Sequence, residues 1–402
     1  MSDEPAETPE AADETGSVVE RTQRELPSWE RVRESELFVV GATTLAVAVF
    51  PWLFARAPVV SGVLNGYQDL ATLILIWGIF AMGFNLLLGY TGLLSFGHAA
   101  FWGGAAYAAG VFSAQVSSSP ILIILAGTSF AALSAWILGF ISLRRGGIYF
   151  AILTLAFGQM AYYMALSPLA WITGGENGFT GVELGKLFGV FELRYPVPML
   201  DWLVGTWKYV LVGAVAVLCV AAANRILHSP YGMVFRAIRE NDQRAEFVGL
   251  NVWRYKLMAF VISGTFAGVA GSLFTIYSAY VPLSSFYWTT SGEVVIMAVL
   301  GGVGSLFGPI LGAGIYLYVE NIVSGVQQLT LPFTGPNEWL TLAEEPVVLL
   351  DGFGAYWHLI LGLVFVAVVV LFPRGIWGLF QDLGGALRRL GGSAVKRLGG
   401  GR

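Results

Sequence analysis

Long apolar runs follow one another along nearly the whole chain, and this pattern restricts the fold more than any other feature. Most are close to the ~20 residues that an α-helix needs to cross the hydrocarbon core of a membrane. Only 12% of the 402 residues are charged, against about 25% in ordinary soluble domains. The sequence therefore predicts an all-α polytopic integral membrane protein with about ten transmembrane helices, within a range of about eight to ten. The ten runs lie near residues 38–55, 70–90, 92–113, 120–141, 148–167, 208–227, 257–280, 289–303, 305–323 and 355–373.

The pair of runs at 289–323 is the least regular part of this series. Its first run is short, and glycines interrupt it at Gly301, Gly302, Gly304 and Gly308. We therefore expect either two crossings or a broken or re-entrant helix, whose irregular backbone would have to be surrounded by protein.

The two ends of the chain are polar and differ in charge. Residues 1–36 hold eleven of the 26 acidic residues and show no apolar periodicity, which predicts a disordered acidic tail on the cytoplasmic side. No short basic region leads into an apolar one there, so we do not expect a cleavable signal peptide. Residues 37–380 are predicted to form the transmembrane domain, with a cytoplasmic loop at 228–256, and residues 381–402 form a basic, glycine-rich cytoplasmic tail.

The distribution of Lys and Arg predicts the orientation of these runs in the membrane. Basic residues cluster in 225–256 and 374–402 and in the short connection Arg144–Arg145, whereas 324–354 has none and 168–207 has only two. Basic loops stay on the cytoplasmic side, so ten crossings would place both termini in the cytoplasm. The first five runs would then start inside and the last five outside, which indicates an inverted 5+5 repeat of the kind found in many transporters.

The basic loop contains an amphipathic stretch from Tyr231 to Lys256. Gly249-Leu-Asn251 is expected to end its helix. Such a helix suits docking into a groove on a soluble partner, and the alternative is a helix that lies on the lipid surface. The apolar residues that recur at helical spacing are Val234, Ala237, Ile238, Ala245 and Val248.

Part of this loop resembles the segment with which permeases of ABC importers contact their ATPase. Ala245-Glu-Phe-Val-Gly249 keeps the Ala and Gly of that segment, while Gln243 and Arg244 replace its usual opening Glu-Ala. The surrounding sequence from Arg236 to Glu246 is similar to that of branched-chain amino acid permeases of the LivM type. Four further stretches resemble the same family, and they are Asn85–Ala100, Arg145–Gly158, Thr173–Gly178 and Gly301–Pro309.

This resemblance covers roughly residues 70–380 and implies the permease subunit of an ABC importer for leucine, isoleucine and valine. It implies alternating access in the cytoplasmic membrane of a prokaryote. The expected partners are a homologous LivH-like permease, two ABC ATPases, an extracytoplasmic solute-binding protein and lipid, but no nucleic acid. ATP and magnesium would bind the ATPases, and this chain would bind no cofactor. Related permeases for urea or short amides share much of the pattern and remain an alternative. The implied coupling residues are Ala237, Glu240, Asn241, Arg244, Ala245 and Gly249.

Four polar residues inside the apolar runs are candidates for the translocation pathway. Asn85, Ser95, His98 and Glu293 would be costly in lipid unless they face protein or water. His98 could equally be a packing histidine. Glu293, like Glu320, could reach the outer rim of the membrane instead of the pathway.

A glycine-rich outer segment is the candidate contact for the binding protein or a gate. It contains Gly174, Gly175, Glu176 and Gly178, and the charge distribution places it outside the membrane. The alternative is a flexible connection without a role in transport.

The sequence contains no pattern typical of catalysis, and we predict neither catalytic residues nor metal ligands. It has no Gly-x-x-x-x-Gly-Lys-Ser/Thr phosphate loop, and His98, His228 and His358 fall in unrelated segments. A self-contained secondary transporter or channel, the main rival class, would be expected to carry coupling carboxylates near the middle of its spans. Most acidic residues of this chain lie in tails and loops.

Overall fold

The computed structural model describes residues 36–55, 67–324, 328–330, 348–351, 356–372, 374–379 and 381–382. Nearly all of the two predicted tails and most of 324–354 lie outside these described residues.

The described chain is mainly helical. Its α-helices are α1 (Glu36–Ala55), α2 (Gln68–Thr91), α3 (His98–Gln115), α4 (Pro120–Ser142), α5 (Ile148–Leu166), α6 (Ala170–Thr173), α7 (Asp201–Val204), α8 (Trp207–His228), α9 (Pro230–Glu240), α10 (Asp242–Phe247), α11 (Val252–Ser278), α12 (Trp288–Gly301), α13 (Gly308–Tyr318) and α14 (Trp357–Leu371). Two 3₁₀ turns, Gly175–Asn177 and Leu283–Phe286, and a π-helical segment, Val319–Val323, complete the helical part.

A helix lies at each of the ten predicted apolar runs, which confirms the prediction of an all-α membrane protein. Within the described residues, five helices are long and apolar enough to cross a membrane, namely α2, α4, α5, α8 and α11. α12 has 14 residues and rises only about 21 Å, less than the ~30 Å of a hydrocarbon core. The number of crossings therefore stays a prediction.

The third apolar run is helical over a shorter stretch than 92–113. Gly92 ends α2 in the left-handed conformation, with φ 74°, and α3 begins only at His98. The six intervening residues are non-helical, and Leu93, Ser95 and Gly97 among them are buried. Non-helical backbone is tolerated at membrane depth where protein surrounds it.

α2 and α11 form the centre of the bundle. They pack along each other, and α12 and α13 add to α2 while α3 and α4 add to α11. The contact between α11 and α4 is close because a Cβ atom at Gly264 or Gly268 would lie 2.4 Å from the Cβ of Ala135 or Ala131. Small residues allow membrane helices to approach in this way.

The helices at 288–318 form an antiparallel hairpin, as shown by Gly301 packing on Gly308 and Gly312 on the Met297 carbonyl. Its turn comprises residues 302–307.

A short antiparallel strand pair was not part of the all-α prediction. β1 (Gln328–Thr330) pairs with β2 (Val348–Asp351), with Leu329 opposite Leu350. A pair this short adds little to the fold.

Candidate coupling site and polar residues of the bundle

The loop that was predicted to be cytoplasmic folds into two helices where one had been predicted. α9 ends at Glu240, and Asn241 adopts an extended conformation, with φ −163° and ψ 108°. The Asn241 side chain then accepts a hydrogen bond from the Arg244 backbone N–H at 2.9 Å. Asn241 is therefore the N-cap of α10, the position that Asn favours. The single helix predicted up to Gly249 is wrong because this cap starts a new helix.

A small apolar core joins the two helices. Ile238, Ala245 and Val252 are buried together, with Tyr255 packed against them. Ala245 is only 5% exposed, so it lies inside the loop and not on its outer surface. A larger side chain at Ala245 would therefore first disrupt the core of the loop itself, and a direct role of Ala245 in coupling stays a prediction.

The residues on the surface of the loop are not those of its apolar core. Phe247 is 90% exposed and Val248 is 78% exposed, and both lie at the end of α10. Glu240 and Arg244 are also exposed beside them, as is Ala237. Two adjacent apolar side chains on a loop that also exposes charged residues form a surface suited to a protein partner.

Gly249 makes the turn that the sequence predicted. Its φ is +91°, a conformation that side chains other than glycine adopt at a cost. Its N–H donates to the Glu246 carbonyl at 2.9 Å. The chain then enters α11, whose N-cap Asn251 accepts from the Arg254 N–H at 3.2 Å. This turn matches the helix end that was predicted at Gly249-Leu-Asn251.

Two arginines of α9 contact the end of α2, a connection that the sequence did not reveal. Arg239 donates a hydrogen bond to the Gly89 carbonyl. The Arg236 guanidinium lies 5.6 Å over the centre of the Tyr90 ring, within the range of a cation–π contact. No local pattern in the sequence indicated this pairing, because Arg239 and Gly89 are 150 positions apart.

Asn85 is held by the turn between α12 and α13. It is buried, its Oδ1 accepts from the Gly304 N–H at 2.9 Å, and its Nδ2 donates to the Ser305 carbonyl at 2.7 Å. Both ends of the amide thus bind backbone of the chain itself. This geometry supports a role in joining helices, and a role of Asn85 in the pathway stays a prediction.

His98 and Ser95 form a second buried polar cluster. His98 Nδ1 lies 3.0 Å from the Ser95 hydroxyl and Nε2 lies 2.8 Å from the Ser263 hydroxyl. Rings of Phe84, Phe101 and Phe260 surround the imidazole edge-on. Because both nitrogens have partners and the residue is fully buried, the arrangement matches the packing alternative for His98. Its place in the pathway is untested.

Glu293 is the fourth predicted pathway residue, and it lies near the start of α12. It is half-buried on α12, beside Tyr316 of α13 and near Glu320 in the π-helical segment. Asn321, next to Glu320, accepts a hydrogen bond from the Tyr67 hydroxyl at 3.3 Å. Among the four predicted pathway residues, Glu293 keeps a partly accessible charged group.

The outer glycine segment is a tight structure and not a loose connection. Gly174, Gly175 and Gly178 have φ values of 80°, 61° and 70°, and a Cβ at Gly174 would lie 2.1 Å from the Gly178 carbonyl. Phe179 pairs with Val281 in a β-bridge. Glu176 points outward and is exposed. The glycines therefore shape the loop, while contact with a binding protein stays a prediction for the segment.

No group of three or more His, Cys, Asp or Glu side chains suited to a metal occurs among the residues that the structure describes. Cys219 is buried in α8.

Comparison with known proteins identifies the family of the chain. A family model described as "Branched-chain amino acid transport system / permease component" matches residues 66–369. The chain is 31% identical to the high-affinity branched-chain amino acid transport system permease protein LivM of Escherichia coli over 335 residues, which cover 79% of this chain and 75% of that protein.

More distant relatives come from Methanocaldococcus jannaschii. A probable LivM permease is 23% identical over 63% of this chain and 81% of its own length. A probable LivH permease is 22% identical over 51% of this chain and 59% of its own length. No solved structure matches. The chain is an integral membrane protein and belongs to the family of permease components of branched-chain amino acid transport systems.

Proposed function

We propose that this chain is the transmembrane permease subunit of an ABC importer that moves leucine, isoleucine and valine into the cell by alternating access. Family membership supports the class of transporter, and the names of the relatives support the substrates. The observation that carries the mechanism is the exposed apolar pair Phe247 and Val248 on a folded cytoplasmic loop. The chain itself is non-catalytic in this proposal, since ATP and magnesium bind the partner ATPases.

The membrane arrangement that we propose has ten crossings with both termini in the cytoplasm of a prokaryote. The segregation of basic residues supports the orientation. The helices found at all ten apolar runs support the count, with α13 extended by the π-helical segment and α12 preceded by the 3₁₀ turn Leu283–Phe286.

We further propose an inverted repeat that relates α1–α5 to α8 and α11–α14. Packing supports this relation, because α4 lies along α11 as α13 lies along α2, and α3 contacts α11 as α12 contacts α2. The third helix of each half also follows a non-helical stretch, residues 92–97 in the first half and 279–287, with one 3₁₀ turn, in the second.

The proposed partners are a homologous permease, two ATPases and an extracytoplasmic binding protein. The ATPase would contact α9 and α10 through Phe247 and Val248 together with Ala237, Glu240 and Arg244. Asn241, Ala245 and Gly249 would act indirectly by shaping this surface. Glu176 would meet the binding protein outside, on a loop that Gly174, Gly175 and Gly178 hold in place.

For the pathway, we propose that Glu293 is the residue of the four that faces the transported molecule. Its carboxylate could balance the ammonium group of an amino acid. Asn85, Ser95 and His98 would support the pathway from behind by fixing the helices that line it.

The test compares docking and transport in variants of the loop. Phe247→Asp should leave the permease inserted but release the ATPases, because it puts a charge into an apolar contact. Ala245→Trp should instead lower the amount of folded permease, since it overfills the core of the loop. Co-purification of the ATPases and uptake of radiolabelled leucine measure both effects. Wild-type ATPase retention by Phe247→Asp would contradict the docking surface, and uptake of urea but not leucine would contradict the substrate.

A further inference from the structure

The cytoplasmic end of α2 and the turn between α12 and α13 meet backbone to backbone. A Cβ atom at Gly89 would lie only 2.6 Å from the Gly304 nitrogen, so no side chain separates the two segments. The Asn85 amide ties them together through Gly304 and Ser305, at 2.9 and 2.7 Å. We name the group of Asn85, Gly89, Gly304 and Ser305 the inner clamp.

A third membrane helix reaches the same point. The turn contacts the chain that follows α14, because a Cβ at Gly302 would lie 2.6 Å from the Arg374 carbonyl and one at Gly375 would lie 2.4 Å from the Gly302 Cα. A movement of the turn would therefore displace the hairpin, α2 and the segment after α14 together.

Arg239 connects this point to the cytoplasmic loop. It lies in the last turn of α9, and its Nη1 donates to the Gly89 carbonyl. The same Nη1 lies 3.1 Å from where a Cβ at Gly304 would be, and the Arg239 Cγ lies 3.6 Å from the corresponding position at Gly92. The side chain thus passes over Gly92 and ends between α2 and the turn.

The hydrogen bond from Arg239 to the Gly89 carbonyl is stronger than one between two neutral groups. The last four carbonyls of a helix have no partner within the helix, and this end carries the negative part of the helix dipole. The Gly89 carbonyl is one of these four in α2. A guanidinium donating to it makes a charge-assisted hydrogen bond. Glycine at 304 leaves the space that the arginine occupies, because a Cβ there would lie 3.1 Å from its Nη1, and glycine at 89 leaves space for the turn itself.

The other side of α9 leads to the docking surface. Ile238 packs on Ala245, and α10 carries the exposed Phe247 and Val248. A displacement applied to these two residues therefore passes through the small apolar core to α9, and from α9 to the inner clamp through Arg239.

We propose that Arg239 is the positioning residue that transmits movement of the docking helices to the inner clamp, and so to α2 and the α12–α13 hairpin. This inference rests on the proposed function as an ABC permease. If Arg239 only capped α2, α9 and the α12–α13 hairpin would move independently when the ATPases change state. The proposal requires instead that they move together.

The first experiment measures coupling in the complete transporter. The complex is reconstituted in liposomes with its binding protein, and radiolabelled leucine uptake per ATP hydrolysed is recorded. Arg239→Gln should lower this ratio about tenfold, the effect expected for losing one hydrogen bond to a charged group. Arg239→Lys should recover part of it, because an ammonium can still donate to the Gly89 carbonyl. The matched control is Arg254→Gln, another exposed arginine of the loop, which should keep the wild-type ratio.

The second experiment measures movement directly. Spin labels are placed at Met233 of α9 and Val303 of the turn, both exposed, in a Cys219→Ala background. With Arg239 present, the distance between the labels should be the same without nucleotide and with ATP and vanadate. In Arg239→Gln it should differ between the two states.

Three results would overturn the proposal. These are a wild-type coupling ratio in Arg239→Gln, a label distance in that variant that stays fixed between states, or loss of the ATPases from it, which would make Arg239 a docking residue. A wild-type complex that hydrolyses ATP without accumulating leucine would instead refute the proposed substrate, and the label distances would still test Arg239.

Discussion

The helices α2 and α4 have nearly the same length and mean hydropathy but opposite surroundings. In the most apolar stretch of α2, 89% of the residues are buried, against 22% in α4. α4 exposes large side chains such as Leu133, Trp136 and Phe140. Lipid tails are as apolar as leucine, so a hydrophobic side chain has little preference between lipid and protein. Hydropathy therefore identifies a membrane helix but does not say what surrounds it.

The positions of small residues carry the missing information. In α2, Gly78 faces Ile310 of α13, Gly83 faces Phe266 of α11, and Gly89 faces the turn at Gly304. A helix whose small residues face several neighbouring helices lies at the centre of the bundle.

In α4 four buried small residues form a single line. They recur every four residues and face α11, while large side chains such as Leu133 and Trp136 are exposed elsewhere on the helix. The residues of this line are Gly127, Ala131, Ala135 and Gly139, opposite Ser272, Gly268, Gly264 and Phe260.

The largest effect that would test this comparison is expected at Gly83 of α2. A Cβ there would lie 2.3 Å from the Phe266 Cβ, so Gly83→Leu should separate α2 from α11 and cost about 3 kcal/mol, the upper end for overpacking. Gly362→Leu is the same change in α14, where nothing lies within 4 Å of the added Cβ, and it should be neutral. Unfolding in mixed detergent and urea measures both. Equal stability of the two variants would mean that α2 is not the centre of the bundle.

A smaller effect is expected on the line of small residues in α4. Ala135 is fully buried against Gly264, so Ala135→Leu should destabilise the protein by about 1–2 kcal/mol. The cost is lower than at Gly83 because α4 can shift toward lipid.

The control lies on the opposite side of α4. Leu133 is exposed, and Leu133→Ala should leave the unfolding transition unchanged in the same measurement. A destabilised Leu133→Ala would indicate that a partner subunit, and not lipid, covers this side.

Much of the fold can be predicted from the sequence. A membrane helix must have a minimum length, and the residues that end a helix can be recognised in the local sequence. The ten apolar runs each contain a helix, and Gly249 lies in the turn after a helix end, as its position predicted. The start of α3 was placed six residues too early, although Gly92, Ser95 and Gly97 break the apolar pattern there. The apolar residues between the glycines made this stretch look like part of a helix. Its non-helical backbone is stable because the rest of the protein buries it, and such burial cannot be read from one sequence.

The candidate site was predictable only in part. The stretch Tyr231–Gly249 was correctly taken as amphipathic and helical, but the cap at Asn241 divides it, and Ala245 turned out to be internal. The contacts of Asn85 with Ser305 and of Arg239 with Gly89 join residues about 150 positions apart or more. No local pattern encodes such pairs in a single sequence.

The smallest effect is expected where a hydroxyl, and not close backbone packing, connects two helices. Thr275 of α11 donates to the Ala106 carbonyl of α3 at 3.0 Å, while Thr265 of the same helix donates only within α11, to the Val261 carbonyl at 2.7 Å. Thr275→Val keeps the shape and removes the hydrogen bond between the helices, which should cost about 0.6 kcal/mol, the average for such bonds in a membrane. Thr265→Val should cost less, because it removes no contact between helices. Both are measured against wild type by the same detergent–urea unfolding. A loss of several kcal/mol in Thr275→Val would show that polar contacts determine the position of α3, and the weight given to small residues in the comparison of α2 with α4 would then have to be reduced.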